Sequence, residues 1–228
     1  MAGSRYILHE LWLKVREFQR QNKSRERLYP SPGRYLRLER KGLLALVKPV
    51  EAREPFAGGH AQRVRYYSVM LGKELGIARH SMELLEAAAI VHDIGKMKIP
   101  REILNKPGRL SEQEFNLVKL HPDDGADALK KLKSLRDVAE IVRQHHEKFN
   151  GKGYPRGLGG EEISFEARIL AVADIFVALC TDRPYRNKMP VEQAMAVLEE
   201  EARVGFLDKQ IVTPFLAKLR KGEKLFNL

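Results

Sequence analysis

The sequence predicts an all-α protein, a helical bundle preceded by a basic N-terminal extension. Three observations lead there. From about residue 60 onward, apolar residues recur at three- and four-residue spacings in almost every segment. No strong run of alternating apolar and polar residues competes with them. The basic residues gather at one end: of a net charge of +11, residues 1–50 hold +8, with 12 Lys/Arg against 4 Asp/Glu, which leaves +3 for the other 178. A chain of 228 residues, 43% of them hydrophobic, can bury a sizeable core.

Residues 6–18 place Ile7, Leu11, Val15 and Phe18 at helical spacing, and the polar, proline-bearing stretch from 21 to 33 reads as a linker. Residues 34–50 could contain a short strand or hairpin. These fifty residues are expected to form an extension, with the main domain over 51–228. Within that domain Val64, Tyr67, Leu71 and Leu75 share one helical face. Leu84, Leu85, Ala88, Val91 and His92 follow on the next helix. After a Pro107-Gly108 turn, Ser111 to Glu114 match the capping-box pattern that opens a helix. Further helices are predicted near 121–131, 134–147, 164–181, 190–203 and 208–220.

Composition excludes several classes of function. With one cysteine, Cys180, the chain can form neither a disulfide framework nor a thiolate metal cage on its own. No stretch reaches the roughly 18 apolar residues a membrane span needs, and the first residues lack the apolar core of a signal peptide. A cytoplasmic location is the expectation.

The seven histidines are His9, His60, His80, His92, His121, His145 and His146. Singly, a histidine in a helical protein is more often structural than a ligand. His92, however, is followed by Asp93 at the end of an apolar helix, where an unpaired carboxylate is costly to bury. His60, His121 and the His145-His146 pair belong to other elements that a bundle can bring to one place. Asp174 sits on an otherwise apolar helix, either as a partnered core residue or as a ligand. Imidazoles and carboxylates without thiolates suit iron, manganese or zinc. Two such metals sharing a carboxylate can generate a bridging hydroxide and stabilise both oxygens of a displacement at phosphorus, so phosphodiester hydrolysis is the natural candidate.

HDIGK at 92–96, HP at 121–122, HHE with NGKGYPRGL at 145–158, and ADIF with RPYR at 173–186 together resemble the HD-GYP domain, a branch of the HD metal-dependent phosphohydrolases. The resemblance covers about residues 55–215 and implies an HD-type helical bundle that hydrolyses cyclic di-GMP to linear pGpG, GMP or both. It implies two metal ions, iron or in some relatives manganese, held by His60, His92, Asp93, His121, His145, His146 and Asp174, with Asp93 bridging. A third metal is not expected, because Phe56 stands where some relatives carry a ligating carboxylate.

Lys96 matches the lysine beside the scissile phosphate, and Arg183 and Arg186 match phosphate-holding positions. Gly153, Tyr154 and Pro155 form the substrate loop, with Tyr154 offering a flat face to a guanine base. The sequence departs from the family at Asn150, where Asp is usual, and at Val177, where the helix of Asp174 usually carries a second aspartate. A module that binds cyclic di-GMP or a signalling protein without turnover is therefore the second reading. A homodimer and docking of the basic extension to an anionic surface or nucleic acid are further expectations.

Overall fold

The computed structural model describes residues 32–54, 58–183, 186–222 and 226, with side chains from residue 42 onward. The helix expected at 6–18 and Phe56 lie outside the described residues, as does most of the linker.

The described chain is helical. A 20-residue helix α1 (Pro32–Glu51) replaces the strand or hairpin expected within 34–50. A short apolar run fits either period, and here the four- and three-residue steps between Leu43, Val47 and Val50 prevail, burying all three in the core. This helix crosses the boundary expected at residue 50. At its end the Glu51 carboxylate accepts a hydrogen bond from the Ala61 backbone N–H at 3.1 Å, fixing the start of α2 (His60–Glu74).

Helix α3 (Arg79–Val91) leads into a 3-10 turn over Ile94–Lys98, a short α4 (Arg101–Leu104), and α5 (Glu112–Val118). The capping box read from the sequence is present: Ser111 Oγ accepts from the Glu114 N–H at 3.2 Å, and Glu114 returns a bond to the Ser111 N–H at 2.7 Å. Helices α6 (His121–Lys130), α7 (Arg136–Gln144), α8 (Phe165–Leu179), α9 (Val191–Arg203) and α10 (Lys209–Arg220) complete the bundle close to where they are predicted.

Helix α2 packs on α3 and α8, α3 packs on α7, and α6 packs on α7 and the 3-10 turn. Tyr67 of α2, Phe176 of α8 and Phe215 of α10 meet edge to face, with Phe176 5.0 Å from Tyr67 and 5.1 Å from Phe215. This aromatic junction ties together the helix that begins with His60 and the helix that carries Asp174. Among the described residues, no helix is long and apolar enough to cross a membrane.

Candidate metal centre

Six of the seven ligand candidates sit at or next to a helix end, and the seventh, Asp174, lies within α8. His60 opens α2, while His92 and Asp93 follow α3. His121 opens α6, and His145 and His146 follow α7. The termination of α3 depends on Gly95, since a β-carbon there would lie 2.0 Å from the His121 carbonyl oxygen and 2.6 Å from the Gly125 nitrogen. Only glycine lets the turn after HD press against the first turn of α6.

Three histidines share one orienting device. His92 Nδ1 bonds the Ala89 carbonyl at 3.0 Å, His121 Nδ1 the Val118 carbonyl at 2.8 Å, and His145 Nδ1 the Val142 carbonyl at 2.5 Å. Each partner is the residue three positions back, a carbonyl at a helix end. A carbonyl only accepts, so Nδ1 carries a proton and Nε2 is the ring nitrogen that faces the site, a free lone pair at His121 and His145, which burial keeps neutral.

The candidate ligand atoms converge in two groups. In His60, His92 and Asp174, the ligand atoms lie within 4.8 Å of one another, and so do those of His121, His145 and His146. Asp93 lies between the groups. Its Oδ2 is 3.4 Å from His92 Nε2 and 3.8 Å from His60 Nε2, while its Oδ1 is 3.4 Å from His121 Nε2. Asp174 Oδ1 is 3.2 Å from His60 Nε2 and 3.7 Å from His92 Nε2.

This donor set fits a metal. His121 Nε2 and His145 Nε2 face each other at 3.3 Å. With both Nδ1 protons given to carbonyls, both facing atoms are acceptors, an arrangement that repels unless a cation or a proton joins them. His92 Nε2 is buried and lacks a hydrogen-bond partner of good geometry.

The electrostatics agree. Burial, reinforced by the neighbouring imidazoles, holds His145 down at about 3 and His146 well below its usual value, so both stay neutral as ligands must. Burial also lowers His60 and His121, each opposed by a nearby carboxylate. At His92 burial is outweighed by Asp93 and Asp174, and its pKa rises to about 10. Both aspartates stay ionised despite burial, Asp93 through Lys96 and His92, Asp174 through hydrogen bonds with His60 and His92. Two buried carboxylates among five imidazoles attract a cation strongly.

Lys96 Nζ lies 2.8 Å from Asp93 Oδ2 and 3.5 Å from Glu54 Oε1, so it stands at the edge of the cluster. Arg183 approaches the same Glu54 at 3.9 Å. Arg186 is not brought to the cluster. Its guanidinium donates to the carbonyls of Ala178 at 2.7 Å, Asn187 at 2.8 Å and Leu179 at 3.0 Å, holding the end of α8. Tyr154 lies over His146, ring centres 4.9 Å apart and tilted by 32°. Pro155 follows it in the same loop. Gly153 is needed for packing, because a β-carbon there would meet the Lys148 nitrogen at 2.3 Å and the Glu147 Cα at 2.5 Å.

Sequence reasoning gave no supporting role to Glu147, Gln144 or Arg53, and offered Glu54 only as a carboxylate near the site. Glu147, the third residue of HHE, is buried, and its carboxylate accepts from the Arg156 N–H at 2.7 Å and the Leu158 N–H at 3.0 Å. It thus clamps the GYP loop from inside. Gln144 accepts from the Ser164 N–H at 2.8 Å and joins α7 to α8. Arg53 donates to the carbonyls of Lys96, Met97 and Ile99, securing the HD turn, and Glu54 collects Lys96 and Arg183. The one available signal was a carboxylate placed directly ahead of a glycine-rich loop with unpaired N–H groups, at Glu147.

The two departures from the family sit differently. Asn150 is exposed, and its Oδ1 accepts from the Lys152 N–H at 3.1 Å, a turn an aspartate would make equally well. Val177 is fully buried in the apolar core.

A family model described as "HD domain" matches residues 46–211. Among curated proteins, the chain is 42% identical over 156 residues to the 3'3'-cGAMP-specific phosphodiesterase 3 of Vibrio cholerae, covering 68% of this chain and 34% of that protein. It is 37% identical over 175 residues to the cyclic di-GMP phosphodiesterase response regulator RpfG of Xanthomonas campestris, covering 76% of this chain and 46% of that one. The chain thus spans less than half the length of either relative. In structure it is similar to Bd1817, an HDG"Y"P protein from Bdellovibrio bacteriovorus, with a TM-score of 0.60, 27% identity, and coverage of 71% of this chain and 51% of that chain.

Proposed function

Because this chain belongs to the HD domain family, we propose that it is a metal-dependent cyclic dinucleotide phosphodiesterase whose substrate is cyclic di-GMP, released as linear pGpG, GMP or both. The observation that carries this reading is the position of Asp93, with one carboxylate oxygen toward His60 and His92 and the other toward His121. A single carboxylate turned to two histidine groups supports two metal ions sharing it as a ligand, and nitrogen and oxygen donors without thiolate suit iron or manganese. When bound, such a pair supplies Lewis acidity and a nucleophile at neutral pH.

The chain's own groups do the rest. His60, His92 and Asp174 would hold one ion and His121, His145 and His146 the other. Lys96, kept charged by Asp93 and Glu54 against burial, stabilises charge developing on the phosphate. Arg183 binds a phosphate oxygen beside it, and the Gly153-Tyr154-Pro155 loop borders the substrate.

Two alternatives have specific support. The Vibrio relative is named for 3'3'-cGAMP, which differs from cyclic di-GMP in one base. Binding without turnover is favoured by Val177, an apolar core residue where the family usually has a second aspartate. One experiment addresses all three: metal analysis of the purified chain, followed by chromatography of its products from cyclic di-GMP and 3'3'-cGAMP in parallel. Two metal ions per chain and cleavage of cyclic di-GMP are expected. Faster cleavage of the hybrid dinucleotide moves the substrate to 3'3'-cGAMP. Tight binding without cleavage by fully metallated protein overturns the enzyme reading.

A further inference from the structure

We infer that Phe115, on α5, is a nucleobase-stacking residue of the substrate site, an inference that rests on the cyclic dinucleotide reading above. Tyr154, which the sequence offers for this task, has its ring tilted against His146. Phe115 is the next aromatic outward. Its ring centre lies 6.3 Å from that of Tyr154 at 81°, so Phe115, Tyr154 and His146 form a row leading from the surface to the second histidine group.

Phe115 is 45% exposed, which for a ring of this size leaves apolar area in water. The exposure is not scattered. Among the described residues, three of the four exposed large hydrophobic side chains, Phe115, Leu117 and Leu120, fall within six positions directly ahead of His121. The helix that presents Phe115 and Leu117 is closed at its start by the capping box and tied to the preceding loop by the ion pair of Lys106 with Glu114 at 2.7 Å. Lys119 Nζ stands 5.3 Å from the centre of the Phe115 ring, a cation beside the ring and within reach of a nucleotide's phosphate. An aromatic ring open to solvent and one ring removed from His146 is the geometry that accepts one base of a cyclic dinucleotide while its phosphodiester reaches the centre.

The test is a calorimetric titration of the metal-loaded protein with a hydrolysis-resistant phosphorothioate analogue of cyclic di-GMP, with metal content and melting temperature measured on each variant. Phe115→Ala and Phe115→Leu are both expected to weaken binding by about ten-fold, the scale of one lost base stack, while Phe115→Tyr stays close to wild type. Leucine keeps the apolar contact with Tyr154 but lacks a π face. Wild-type affinity in Phe115→Leu, or in Phe115→Ala, overturns the inference. So does a loss of affinity that accompanies lost metal in all three variants, because that marks a packing role. A wild-type protein that does not bind the analogue removes the cyclic dinucleotide reading, and this inference falls with it.

Discussion

Replacing Asp93 with asparagine keeps the size of the side chain but removes its charge and turns one ligand oxygen into a hydrogen-bond donor. Because its two oxygens face different histidine groups, the expected result is a purified protein that has lost at least one of its metal ions, with activity down by well over 100-fold. Elemental analysis together with the cyclic di-GMP assay checks it. The titrating groups also give a stability profile for chelator-treated protein. His145 has a folded pKa of about 3 against 6.5 unfolded, so between those values the unfolded chain binds a proton the folded one lacks, and stability falls as pH drops below 6.5. Depressed Asp93 and Asp174 act in the same direction on further acidification. His92, raised to about 10, contributes fully below 6.5 and loses its contribution as pH climbs through 10. Melting temperatures measured from pH 4 to pH 10 should therefore peak near neutrality and decline on both sides.

At the scale of elements, the site depends on how helices end. Gly95 lets the HD turn touch α6, and in Gly95→Ala the added methyl meets backbone atoms that cannot swing away. The two histidine groups are then forced apart, and since displacements near 1 Å can cost about 100-fold, a loss of that order in turnover is expected from steady-state assays. Glu147→Gln removes a charged acceptor from two partly buried N–H groups, for a stability loss of about 1–3 kcal/mol in urea denaturation and faster amide exchange at Arg156 and Leu158. Most of the helices were legible in the sequence through their 3.6-residue period, and the histidines and aspartates that the fold brings together were legible as short motifs. The helical state of 34–50 was harder to read, since Leu43 to Val47 form a run that fits a strand as well. The pairings of Arg53, Gln144 and Glu54 were not legible, although Glu54 stands out as a carboxylate near the site. Their partners are 20 to 129 positions away, as Ser164 is from Gln144 and Arg183 from Glu54, and no periodicity records such pairs. The carbonyls that Arg186 binds at the end of α8 follow from the tertiary path in the same way and leave no mark in its motif.

For the molecule as a whole, the core and the centre are mechanically joined. Tyr67 and Phe176 belong to the helices of His60 and Asp174, and Phe215 buttresses both. Phe215→Ala is expected to cost about 3–5 kcal/mol in chemical denaturation. It should also weaken metal retention at the His60, His92 and Asp174 group before the other, because only that group hangs on these helices. The locked imidazoles have one more consequence, for the heat of metal uptake. Four of the five ligand histidines are already neutral near pH 7, three have Nδ1–H fixed on a carbonyl, and only His92, at about 10, holds an extra proton. Loading the centre at pH 7 should thus expel the His92 proton, in addition to any from a metal-bound water, so the apparent enthalpy of metallation will differ between phosphate and Tris by at least the difference between their ionisation enthalpies.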